Sequence, residues 1–128
     1  MYNFRTDLAL ERRNLYRTAN NIKNEIDGIE TEEEKVGDDI LTTRVKVLSK
    51  QGEEAINKPI GNYITIDIKN LKVANEDEMQ KASEVVTKEL KALIDKHVSS
   101  KDPVLVVGLG NATATPDSLG PKVVEKLD

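Results

Sequence analysis

The stretch Pro103-Val-Leu-Val-Val-Gly-Leu-Gly-Asn111 decides the fold class. Its apolar centre, Val104 to Val107, presents aliphatic side chains on both faces of an extended chain. Such a strand is typical of an interior, parallel position in a sheet that helices cover on both sides. The sequence therefore predicts an α/β fold in which this segment is a central strand.

The segment before this strand has the clearest periodicity in the chain. Between Asp77 and Val98, apolar side chains recur every three or four residues, which predicts a helix whose apolar stripe packs on the sheet. The stripe consists of Met79, Ala82, Val86, Leu90, Leu93 and His97. Acidic residues at the start of the segment favour a helix amino terminus there.

Two segments further upstream alternate between apolar and polar residues, as strands with one solvated face do. These segments are Ile40 to Leu48 and Tyr63 to Ile68. In the first, the residues predicted to be buried are Leu41, Thr43, Val45 and Val47, and those predicted to be solvated are Thr42, Arg44 and Lys46. We expect the two strands to pair as an antiparallel ribbon, which makes the whole sheet mixed.

Helices are also predicted near both ends of the chain, at Arg5 to Ile26 and Leu119 to Leu127. Their predicted caps are Thr6 or Asp7 for the first and Asp117 or Ser118 for the last. The acidic run Glu30 to Lys35 is predicted to be a solvated loop. Because a central parallel strand needs parallel neighbours and only one such strand is visible, we expect residues 1–128 to be a fragment, or one half of a split or proteolysed protein, whose missing half supplies the other parallel strands.

Composition narrows the range of functions. The net charge of −4 and the pI of about 5.1 imply no broad basic surface, so no direct nucleic-acid partner is expected. The chain has no cysteine, which excludes a thiol nucleophile and a thiolate metal site. The longest apolar run, Val104 to Leu109, is too short to cross a bilayer. We therefore expect a cytoplasmic protein with no membrane partner.

The residues from Gly108 to Pro121 are the best candidate for a functional site. They follow the predicted central strand, at the end where open α/β sheets place their ligand crevices. Gly108, Gly110 and Asn111 are expected to shape the loop, and Pro116 to restrain it. Asp117 is the candidate catalytic residue, because a carboxylate held on a rigid loop can act as a general acid, a general base or a metal ligand.

Taken alone, this pattern leaves two interpretations open. It begins like a dinucleotide-binding motif, but Thr113 stands where the third glycine belongs, and no lysine follows as in a P-loop. No cofactor and no metal are therefore expected. In the simpler interpretation, the glycines only form a tight turn and Asp117 only caps the last helix.

Three blocks of sequence resemble the germination proteases of spore-forming Firmicutes. They are Phe4-Arg-Thr-Asp-Leu-Ala9, Gly61-Asn-Tyr-Ile-Thr-Ile66, and Val106-Val-Gly-Leu-Gly-Asn111 continued by Thr115-Pro-Asp-Ser-Leu-Gly-Pro121. Their order and spacing match the family over nearly the whole chain, and the last block is the most specific. Ser118 stands where alanine is common in the family, a difference that leaves Asp117 untouched.

The resemblance implies an endopeptidase that is made as a zymogen and starts the degradation of small acid-soluble spore proteins during germination, in the cytoplasm of the spore core. Residues 1–7 would form a pro-segment, with processing at Asp7 and Leu8. The family is regarded as atypical aspartic peptidases, with a fold like the phosphorylase/hydrolase-like fold of hydrogenase-maturation peptidases. The full-length form is expected to be a homo-oligomer.

Of the two important aspartates of the family, the resemblance assigns the first to Asp117 and places the second beyond Asp128. Residues 1–128 are therefore expected to be inactive alone. Two other functions stay open: a metal-dependent peptidase with Asp117 as a ligand, and a non-catalytic domain that binds peptide. A downstream aspartate at a strand end would favour the aspartic mechanism, and a His or Glu cluster would favour the metal mechanism.

Overall fold

A computed structural model describes residues 6–127. The contacts divide the chain into two units, one ending at Leu93 and the other beginning at Ile94. The first unit contains a sheet with flanking helices, and the second contains the candidate loop. The regular elements are α1 (Ala9–Ala19), β1 (Ile29–Val36), β2 (Ile40–Val47), α2 (Lys50–Ile56), β3 (Gly61–Ile68), α3 (Glu76–His97) and α4 (Leu119–Glu125). The predicted α/β class is confirmed.

The sheet of the first unit has the order β1-β2-β3, and both pairs are antiparallel. In the second pair, Ile40 lies opposite Ile68 and Val47 lies opposite Gly61. The predicted antiparallel ribbon is therefore confirmed.

The prediction of a solvated loop at Glu30 to Lys35 was wrong, because these residues belong to β1. Glu30 lies opposite Lys46, and Glu32 lies opposite Arg44, on the neighbouring strand β2. Opposite charges directly across an antiparallel pair stabilise the pairing. The acidic run thus forms a strand because its partner strand carries the matching cations.

Helices cover both faces of this sheet. On one face, α1 and α2 enclose an apolar cluster of Ala9, Ile26, Ile29, Val45, Val47 and Ile56. On the other face, Ala82 and Val85 of α3 pack against Ile40. The second face of β2 was predicted to be solvated, but Thr42 on that face is only 1% exposed. The prediction failed for this face because helix α3 packs over it, and the sequence of β2 alone does not indicate that packing.

Helix α3 packs on the sheet as predicted, but with a different face. Its buried residues are Ala82, Val85 and Glu89. Met79, Val86 and Leu90 of the predicted apolar stripe are between 37% and 54% exposed. The helix is turned so that Glu89 can bond Arg44 of β2. An Asn75–Glu78 capping box begins the helix, with reciprocal bonds of 3.0 and 2.8 Å between side chains and backbone amides.

The first helix is shorter than predicted. It ends at Ala19 because Asn21 adopts a left-handed conformation with φ of 52°, which a continuing α-helix does not allow. Neither predicted cap accepts a hydrogen bond from a backbone amide of the first turn, Ala9 to Arg12. Leu8 occupies the N-cap position without a side-chain bond, and the Thr6 hydroxyl accepts a bond from the Leu8 amide instead. The beginning of the predicted helix, at Arg5, lies outside the described residues.

In the second unit, the predicted interior strand at Val104–Val107 is not confirmed. These residues form no strand in the structure, and their side chains are 51% to 87% exposed. A strand needs partners for its amide and carbonyl groups. Residues 94–127 contain no second strand that could provide them. Among residues 6–127, no helix has both the length and the apolar character needed to cross a bilayer.

Candidate functional site

The residues Gly108 to Pro121 form a closed loop, which we call the aspartate loop. The Asn111 amide donates a hydrogen bond of 2.9 Å to the Asp117 carbonyl oxygen, which joins the two sides of the loop. Between them, the Ala114 amide donates to the Asn111 carbonyl at 3.1 Å, and the Asp117 amide donates to the Ala114 carbonyl at 3.0 Å. The peptide of Asp117 is thus held through both its amide and its carbonyl groups.

The Asn111 side chain fixes the turn inside the loop. Its Oδ1 accepts hydrogen bonds from the Thr113 amide at 3.0 Å and from the Thr113 hydroxyl at 2.8 Å. This is an Asx turn, in which a short amide side chain replaces a backbone acceptor. Asn111 therefore stabilises the loop with its side chain and holds Asp117 with its backbone.

Gly110 lies against the other side of the Asp117 peptide. Its φ of +147° falls in a region that favours glycine. A Cβ at this position would overlap the Asp117 carbonyl oxygen and lie 3.1 Å from Cδ of Pro121. The loop can close only because no side chain is present there.

Pro116 lies at the beginning of a 3-10 helical turn that spans Thr115–Asp117. The Asp117 side chain is exposed, and no hydrogen bond or ion pair within residues 6–127 engages its carboxylate. Ser118 holds the N-cap position of α4, but its hydroxyl donates to the Thr115 carbonyl at 3.0 Å and forms no cap. The prediction that Asp117 or Ser118 caps α4 with its side chain was therefore wrong. The carboxylate of Asp117 is free for another partner.

A network of charge interactions lies in the first unit. Arg44 bonds the nearly buried Glu89 at 2.9 Å and Glu34 at 2.6 Å, and Lys88 bonds Glu34 at 2.7 Å. Lys88 and Arg44 lower the pKa of the Glu34 carboxyl to about 2, and Arg44 lowers the pKa of Glu89. Because these groups tie β1 and β2 to α3, the network has a structural role.

The structure places no group of three or more His, Cys, Asp or Glu side chains within metal-binding reach of one another among residues 6–127. His97 is exposed in the last turn of α3.

The predicted processing site lies at the exposed approach to α1. Asp7 and Leu8 precede the helix, and Leu8 is 47% exposed. The Asp7 carboxylate lies 3.7 Å from the Arg12 guanidinium. Of the predicted pro-segment, residues 1–5 lie outside the described part of the chain.

Gly120 lies in the stretch predicted to form the site but was given no role of its own, although its backbone lies close to that of Leu109 on the other side of the aspartate loop. A Cβ at Gly120 would overlap the Leu109 carbonyl oxygen. Gly120 is the second residue of α4, where a glycine lets another backbone segment approach closely.

Comparison with known proteins identifies relatives of this chain. The family model described as germination protease matches residues 6–128. The germination protease of Clostridium perfringens strain SM101 is 46% identical over 127 residues, which cover 99% of this chain and 38% of the relative. The germination protease of Clostridium tetani is 43% identical over 96% of this chain, and that of Oceanobacillus iheyensis is 37% identical over 98%. The chain thus spans between 35% and 38% of the length of these curated relatives.

Proposed function

This chain belongs to the germination protease family, and on that premise we propose that the full-length protein containing it is an endopeptidase that starts the degradation of small acid-soluble spore proteins. The observation that carries the proposal is the aspartate loop. It holds the backbone of Asp117 through two hydrogen bonds and leaves the carboxylate exposed. A fixed backbone with a free carboxylate leaves Asp117 able to act as a general acid or base once substrate and the rest of the site engage it.

We propose an atypical aspartic mechanism for this peptidase. Two neighbouring carboxyl groups resist ionising together, so one can hold a proton while the other activates a water molecule. Asp117 would supply one carboxyl group. The second would come from the part of the relatives' length that this chain does not span, and residues 1–128 alone are then inactive.

The fold of the complete domain follows from the same proposal. Val104–Val107 would become an interior parallel strand, as in the fold of hydrogenase-maturation peptidases, once further strands pair with it. The four consecutive aliphatic side chains support this, because their exposures of 51% to 87% leave a contiguous apolar segment facing water. Asp117 would then project into the crevice at the carboxyl end of that strand.

We also propose that the full-length protein acts in the cytoplasm of the spore core as a homo-oligomer, without a nucleic-acid or membrane partner. The protein would be made as a zymogen, with residues 1–7 as its pro-segment.

The mechanism can be tested with the full-length protein and a purified small acid-soluble spore protein. We expect cleavage into peptides at the same rate with and without a chelator such as EDTA, because carboxyl groups alone move the protons. Residues 1–128 serve as the control and should give no cleavage. Loss of activity in chelator, restored by a divalent cation, would favour the metal-dependent mechanism with Asp117 as a ligand. No cleavage by the full-length protein, even after activation, would favour a non-catalytic peptide-binding domain.

Processing gives a second, independent prediction. Because Asp7 and Leu8 are exposed just before α1, we expect the activated full-length protein to begin at or next to these residues. Amino-terminal sequencing before and after activation measures this directly. An active enzyme that still begins at Met1 or Tyr2 would contradict the pro-segment.

A further inference from the structure

Two backbone segments of the second unit lie against each other with no side chain between them. A Cβ at Gly120 would overlap the Leu109 carbonyl oxygen and lie 2.7 Å from the Leu109 amide nitrogen. A Cβ at Gly108 would in turn overlap the Gly120 carbonyl oxygen. Both positions therefore need glycine, since neither backbone segment can move away without opening the aspartate loop.

The contact between Gly120 and the Gly108–Leu109 backbone is linked to Asp117 by the neighbouring residues of the loop. Gly108 and Gly120 allow the backbone of Gly108 and Leu109 to lie against the beginning of α4. The next residues, Gly110 and Asn111, contact the Asp117 carbonyl group. Ser118, between Asp117 and the helix, is only 3% exposed. The Asp117 backbone is thus fixed by contacts on the side of the helix as well as within the loop.

We propose that Gly120, acting with Gly108, is a positioning residue that sets the place of the Asp117 carboxylate for peptide hydrolysis. The inference rests on the proposed catalytic role of Asp117. A side chain at Gly120 would push the Leu109 segment outward and carry the Asp117 backbone with it. A displacement of about 1 Å at a catalytic group can reduce the rate about a hundred-fold.

The test compares Gly120→Ala with Gly52→Ala in the full-length protein. A Cβ at Gly52 would overlap the Gly28 carbonyl oxygen, so this control creates a similar backbone clash in the first unit, which does not contain Asp117. For Gly120→Ala we expect kcat, corrected for the folded fraction, to fall about a hundred-fold while KM changes little. For Gly52→Ala we expect a lower melting temperature and an unchanged kcat of the folded protein.

A double-mutant cycle with Asp117→Asn distinguishes an effect of Gly120 on the position of Asp117 from a general loss of activity. If Gly120 acts through Asp117, adding Gly120→Ala to Asp117→Asn should lower the residual rate little further. An equal loss in both backgrounds, or a normal kcat for Gly120→Ala, would overturn the inference. Near-normal cleavage by Asp117→Asn alone would instead overturn the proposed function, and the inference with it.

If circular dichroism shows that Gly120→Ala does not fold, the same cycle is run with Asn111→Ala. Within residues 6–127, this change removes an exposed side chain whose hydrogen bonds go to Thr113, yet it loosens the turn that holds Asp117. We expect a loss of about ten-fold in kcat, absent in the Asp117→Asn background. A loss that persists in that background would count against positioning of Asp117 by the loop.

Discussion

Replacing Asp117 by asparagine in the full-length protein is expected to lower the rate of peptide hydrolysis by about a hundred- to ten-thousand-fold, the usual effect of losing a general acid or base. The melting temperature should stay nearly unchanged. Asparagine has nearly the same size and keeps one side-chain oxygen that accepts hydrogen bonds, but it cannot ionise. The Asp117 carboxylate makes no bond within residues 6–127 that the substitution would break.

The measurement pairs thermal unfolding with cleavage of a small acid-soluble spore protein. Asp38→Asn is the matched control, because Asp38 is also exposed in a turn but lies between β1 and β2 in the first unit. It should keep normal activity and stability. Near-normal cleavage by Asp117→Asn would remove Asp117 from the site. Lost cleavage with a large fall in melting temperature would give Asp117 a structural role instead.

Local sequence patterns predicted the helices and strands that are marked by a regular spacing of apolar residues. The alternation in Ile40 to Leu48 predicted β2, and the three- and four-residue spacing after Asp77 predicted α3. Strand β1 was missed because its glutamates favour a strand only beside Arg44 and Lys46, and that pairing is set by the register of the sheet. The buried face of α3 was missed for the same reason, since Glu89 is buried only through its bond to Arg44.

Prediction of the candidate site from the sequence was limited in the same way, because contacts between distant residues are not visible in local patterns. Sequence reasoning found Gly110, Asn111 and Asp117 because they lie close together in a loop with recognisable turn residues. It gave no role to Gly120, whose significance depends on how closely the Leu109 backbone approaches. For Val104–Val107, by contrast, the local pattern predicted an element that the structure does not form. Its sequence predicts an interior strand, but the described residues of its unit offer no strand to pair with.

Removing one partner of the Arg44–Glu89 pair should strongly destabilise the first unit. Replacing Arg44 by methionine leaves the Glu89 carboxylate nearly buried without its main partner, which is expected to cost about 3 kcal/mol of unfolding free energy at pH 7. The double variant Arg44→Met/Glu89→Leu should recover most of this loss, because an apolar pair of similar volume removes the buried charge. Urea denaturation followed by circular dichroism measures both values. As a control, Glu33→Gln at an exposed residue of β1 should change stability by less than about 0.5 kcal/mol.

The pH dependence of the free energy of unfolding tests whether Arg44 stabilises the protein through its charge or only through packing. In the native protein, bonding to Arg44 lowers the pKa of Glu89, so the stability that the pair contributes is present above the unfolded pKa and is lost as the pH falls through the folded value. In Arg44→Met, burial without Arg44 should instead raise the pKa of Glu89. The variant should then gain stability relative to the native protein as the pH falls from 7 to about 4, because protonation removes the unpaired charge. An unchanged difference between the two proteins over this range would show that Arg44 acts through packing of its aliphatic stem and not through its charge.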